Sequence, residues 1–233
     1  MQHLSDAHHS RKIVAGACMV VAPLVLLAAM VIHPASDMNE ATQVATIQDN
    51  LDAWYVAHLL ALISIALVVP AMLGLMHMLR EREVAFGHVG GGLAILGLLA
   101  FTGIVAMELV IWQMAAGGST AEAVSLLERL NNTAGIVIPF VIVSFGFTLG
   151  LACLAYGLYR ARAVQSWMAI STAAGAILLG VAFGAAMNWL AIVAAAFLVV
   201  GLGAIGRMVL RETDEAWEHT PEYEGFRPVP GMR

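Results

Sequence analysis

Charge is scarce in this chain: Asp, Glu, Lys and Arg make up 12% of its 233 residues, about half the ~25% of a typical soluble domain. Hydrophobic residues supply 61% and the mean hydropathy is +0.85, which excludes an ordinary soluble fold. Cysteine is nearly absent. Cys18 and Cys153 are the two present, too few for a disulfide framework, and both read as small core residues. Motifs for covalent or phosphate chemistry are missing too. Gly90-Gly91-Gly92 opens an apolar run but lacks the Lys-Ser/Thr of a phosphate-binding loop. No G-x-S-x-G element, Cys/His nucleophile layout, HExxH or ExxH is present, so no catalytic motif points to an enzyme. The net charge of -5 comes from acidic loops and an acidic tail, and nothing indicates nucleic acid as a partner.

What is present is length without charge. Six apolar runs cover roughly residues 13–33, 55–79, 87–114, 133–159, 166–187 and 189–210, each near the ~20 residues a spanning helix needs. The predicted fold is all-α, a polytopic bundle of six transmembrane helices with the lipid bilayer as its first partner. Three regions follow: a flexible cytoplasmic head at 1–12, the six-helix domain at 13–211 and an acidic cytoplasmic tail at 212–233. The first run is too long for a signal-peptide core and lacks a small-residue cleavage site after it. Ten of the eleven basic residues fall at the termini or in alternate loops: Arg11, Lys12, Arg80, Arg82, Arg160, Arg162, Arg207, Arg211, Arg227 and Arg233. Only Arg129 falls on the other side. This asymmetry predicts both termini in the cytoplasm of a multi-pass plasma (inner) membrane protein.

The two longer loops on the far side carry patterns of their own. Residues 36–52 place Val44, Ile47 and Leu51 at helical spacing, and Ser119 to Glu122 form a capping-box pattern ahead of Val124, Leu127 and Leu130. Both predict short amphipathic helices lying on the outer surface, either as lids over a site or as closing caps. A gapless offset of eighty residues relates Arg80-Glu81-Arg82 to Arg160-Ala161-Arg162, and Ala41, Val44, Ile47 to Ala121, Val124, Leu127. That is the pattern of a parallel internal repeat. Gly87/Gly91, Gly146/Gly150 and Gly180/Gly184 predict close helix contacts. Trp54, Tyr55, Trp112 and Trp189, with Tyr156, Tyr159 and Trp167 at the opposite ends, read as interfacial anchors.

Glu108 is the one acid deep inside a run. A carboxylate in hydrocarbon must pair, hold a cation or carry its own proton, so it faces the bundle. His58 is placed twenty-five residues before the turn near Glu83, and Glu108 twenty-five after it, which puts the two at one depth. With His33, Gln113 and Asn188 they form a predicted polar layer in the outer half. His/Glu sets ligate metals, a histidine can ligate haem iron, and such a pair can also carry protons. The layer therefore reads as a metal, haem or small-ligand site with His58 and Glu108 as first ligands, as a proton-linked transport site, or as a hydrogen bond that only specifies packing. In the last case the chain is an accessory or assembly subunit among other membrane subunits. His77 and His88 are a second depth-matched pair near the cytoplasmic face, readable as two interfacial histidines or a second metal or haem pair. His33-Pro34 ending the first run and Trp54-Tyr55-Val56-Ala57-His58 opening the second resemble small bacterial membrane proteins without an assigned activity. The resemblance covers mainly residues 11–115 and implies helices and location alone.

Overall fold

A computed structural model describes residues 2–35 and 39–220. Ser36 and the tail residues Glu222, Glu224, Arg227 and Arg233 lie outside the described residues. Among the described residues the chain forms nine helices and no strand. In order these are α1 (Gln2–Ile32), α2 (Glu40–Asp49), α3 (Leu51–Met78), α4 (Val84–Gly117), α5 (Thr120–Asn131), α6 (Ala134–Ala161), α7 (Ser166–Gly184), α8 (Asn188–Arg211) and α9 (Asp214–Trp217). Helices α1, α3, α4, α6, α7 and α8 are long and apolar enough to cross a membrane. The shortest, α7, has 19 residues and rises ~28 Å, close to the ~30 Å hydrocarbon layer.

The six long helices close a ring. Each packs on its neighbours in chain order, α8 returns to α1, and α3 and α6 also touch across the middle. Small residues let the backbones approach. A Cβ on Gly150 would stand 2.3 Å from the Ala94 backbone nitrogen, and one on Gly206 only 2.6 Å from the Gly16 oxygen. Gly146 likewise faces α4, whereas Gly184 meets nothing within 4 Å. The α3–α4 seam is filled differently, by the flexible Met76 side chain over Gly91. The element order repeats: α1 and α3 pack together around the short α2, and α4 and α6 around the short α5. Adding eighty to the bounds of α2 gives residues 120–129, inside α5, as a duplicated unit requires.

The ring has two unlike ends. At the lid end, α2 and α5 lay their apolar faces on one another and on the helix tips. Val44, Ile47, Ala123 and Leu127 form a separate buried cluster there with Trp54, Ile111 and Ala115. Asn39 caps α2 by accepting the Thr42 N–H at 3.0 Å, but Ser119 makes no side-chain capping bond to α5, so the predicted capping box does not form. Gln48 Nε2 donates to the Ala115 carbonyl and to Thr120 Oγ1, and Asn131 Nδ2 donates to Glu40 Oε1 at 3.0 Å. The two lids are thereby tied to α4 and to each other.

At the tail end the first turns of α1 meet residues 212–220. Where the sequence predicts a loose head, α1 continues back to Gln2. His8 pairs with Glu218, His9 with Asp214 at 3.0 Å, and Lys12 Nζ with Asp214 at 2.5 Å and the Glu212 carbonyl at 2.8 Å. Trp217 on α9 is 3% exposed and its ring lies 4.5 Å from that of His77. Arg80 donates to the carbonyls of His77 and Trp217. The Glu81 carboxylate accepts the Thr220 N–H at 2.8 Å and faces His219 at 3.1 Å. Tail carboxylates thus meet basic groups of α1, and the segment docks over the α1 and α3 ends of the ring.

Candidate ligand cavity under the lids

The lid half of the ring holds a cavity of about 510 Å³ bounded by all six long helices and both lids. His33, His58, Glu108 and Asn188 of the predicted layer all line it. Gln113 does not; it is exposed. Five residues separate it from Glu108, which is about 140° around a helix, so the two share a depth but not a face. Beneath the cavity the ring fills with side chains. A void of about 30 Å³ lies there next to Ser64, Phe147 and Thr148.

The polar groups on the wall are prepared rather than paired. His58, 6% exposed, donates Nδ1–H to the Trp54 carbonyl at 2.8 Å. This is the i−4 carbonyl of its own helix, so α3 itself sets the ring's tautomer. His33 does the same with the Pro34 carbonyl at 2.6 Å. Each neutral ring keeps a free Nε2 lone pair. Rings of His33, Trp54 and His58 cluster with centroids 4.7 to 5.0 Å apart, Trp54 stacked on His58 and His33 tilted against both. Asn188 heads α8 just after Ala186, whose φ of 50° is left-handed, and its Nδ2 donates to the His33 carbonyl at 3.1 Å. The turn thus ties α8 to the end of α1.

Three buried side-chain atoms on this wall have no protein partner: Glu108 Oε2, Trp54 Nε1 and Ser144 Oγ. An unpaired buried polar atom costs about 1–3 kcal/mol, so three around one cavity is a concentrated cost. No hydrogen bond joins His58 to Glu108 among the described residues, so the pair does not close on itself as a packing contact.

Trp54 is the residue the sequence misplaces. It reads as an interfacial anchor, yet it is 1% exposed and forms cavity wall. The cue was present, since it precedes His58 by four and must share its helix face. Ser144 carried a subtler signal. It stands eighty residues after Ser64, whose hydroxyl donates to the Ala22 carbonyl at 3.0 Å, while Ser144 faces the cavity unbonded.

Among the described residues no three His, Cys, Asp or Glu side chains converge to hold an ion, and no Lys or Arg lines the cavity. His77 and His88 also serve different neighbours: His77 Nε2 donates to the Trp217 carbonyl at 3.0 Å, whereas His88 is exposed and donates to Val84. Set against protein-family models, curated proteins and solved structures, the chain matches none.

Proposed function

We propose that this membrane protein binds a small organic ligand beneath α2 and α5, with His58 and Glu108 as its principal polar contacts and His33, Asn188 and Trp54 around them. The observation that carries the reading is the set of unpartnered buried polar atoms on the wall of one cavity. At about 510 Å³ it falls within the ~300–1,000 Å³ of small-molecule sites. Large apolar side chains such as Phe101, Phe140 and Phe183 supply most of the remaining wall. Binding is favoured over transport because the ring beneath the cavity is packed with buried apolar side chains.

The basic residues gathered at the tail end support an orientation with the tail end cytoplasmic and the lids outside. Labelling of Ser125→Cys by an impermeant maleimide added to intact cells supports that orientation, and labelling only after permeabilisation reverses it.

Native mass spectrometry of the purified protein, with an optical spectrum and elemental analysis, tests the binding reading. An organic mass carried by the wild type and lost from the cavity-filling variant Ala57→Phe supports it. Identical spectra for the two proteins, with no response of either to added amphiphiles, would reject it.

A further inference from the structure

The wall has a sign and a hydrogen-bonding polarity, and both point to one kind of ligand. Among the described residues its titratable side chains are Glu40, Glu108, His33 and His58, and no Lys or Arg lines it. The unspent polar capacity is mostly acceptor: Glu108 Oε2, the Nε2 atoms of His33 and His58, and the Asn188 Oδ1 left after its amide donates to His33. Among the described residues Trp54 Nε1, the Ser144 hydroxyl and the Gln43 side-chain amide are the unspent donors. An anionic ligand would meet carboxylates without a counter-cation. A neutral acceptor would pair with Glu108 only where that carboxyl carried its own proton. A ligand bearing several N–H donors and a positive charge satisfies both.

From this we propose that the cavity takes a lipophilic amine: an apolar body among Phe101, Phe140 and Phe183, and a protonated nitrogen held by Glu108 with His58 and His33 as further acceptors. The inference rests on the binding reading above and adds the ligand's chemical class. Aromatic faces reinforce it, because the Trp54 indole and neighbouring rings offer π-density to a cation. Glu40 adds a second negative group beside the lids. Its carboxyl is held below the usual range first by the hydrogen bond from Asn131, so it is ionised at neutral pH and draws cations toward the site.

The test uses three amphiphiles with one chain length, decylamine, decanol and decanoate, titrated into the full-length protein in phosphatidylcholine nanodiscs at neutral pH. Bilayer partitioning is removed by subtracting the same titration with Ala57→Phe, or with Ile104→Trp if Ala57→Phe fails to insert. Decylamine is expected to bind at least ~10-fold tighter than decanol, with decanoate weakest. Glu108→Gln should bring decylamine down to the decanol level and leave decanol unchanged. Equal affinity of amine and alcohol for the wild type would overturn the amine proposal while leaving the cavity a binding site. An amine preference that survives Glu108→Gln would overturn it as well. No binding above the filled-cavity variant by any of the three would remove both readings.

Discussion

The lid end and the tail end of this ring both bury polar residues, and they treat them in opposite ways. At the tail end the buried Lys12, the half-buried His77 and Arg80 and the exposed Glu81 each spend hydrogen-bonding groups on the docked C-terminal segment. One Glu212 carboxylate oxygen is the exception. At the lid end Glu108, Trp54 and Ser144 face open volume with bonds unspent. A paired buried group holds structure together; an unpaired one lowers stability and persists where something else meets it. The difference sets a paired end against an unpaired one.

Neither end exists without the ring, so the largest effect should come from its tightest seam. Gly150→Leu drives a side chain into the α4 backbone and is expected to abolish the folded monomer by size exclusion. Gly92→Leu, where an added Cβ meets nothing within 4 Å, should leave it intact. Next in size is Trp217→Ala, which empties a buried site in the docked segment and should cost about 3–5 kcal/mol. Its melting temperature in detergent should fall while decylamine affinity stays near wild type. If that affinity fell in parallel, the two ends would not be separable.

Single polar substitutions sharpen the contrast. Arg80→Met strips a donor from two carbonyls and should destabilise by ~1–2 kcal/mol. Glu108→Gln removes no intramolecular bond and should leave thermal stability unchanged or raised. A large stability loss in Glu108→Gln would recast the lid-end polar groups as structural.

Acid should act on the tail end. Asp214 is held below its usual 3.8, first by Lys12 and then by His9. Glu81 lies below its usual 4.5 through the Thr220 N–H and then His219, and Glu218 through His8. Carboxyls depressed in the folded state favour docking above their unfolded values and lose that contribution as pH falls through the folded ones. Trp217 emission, isolated by subtracting Trp217→Phe, should hold steady down to about pH 5 and change below about pH 4. The smallest effect belongs to Asn131→Ala, which unties the lids at one exposed bond. It should barely move the melting temperature and should speed ligand release.

Much of this architecture was legible in the sequence because hydropathy and charge report depth. Six spans, two lid helices with Val44, Ile47 and Leu127 turned inward, and a shared level for His58 and Glu108 all follow from spacing along one axis. Azimuth was harder. Gln113 lies at the right height but on the wrong face, and Trp54 was credited to lipid when its spacing from His58 pointed inward. Docking of residues 212–220 depended on long-range ion pairs, for which the opposed charges of tail and loops were the only hint. The cavity itself had no signature, since empty volume depends on how six helices fail to fill their centre.

Because neighbours in the ring are neighbours in the chain, five of its six seams join consecutive spans. Each can form as the next hairpin arrives, with little loop-closure entropy to overcome. The sixth, between α8 and α1, joins the first and last spans of the ring and must wait until α8 has been made. It is across that last seam that Lys12 and His9 reach Asp214. The residues after α8 therefore work as a clasp on a completed loop, and a chain cut short at Arg211 would hold every wall of the cavity with nothing to fasten the ring around it.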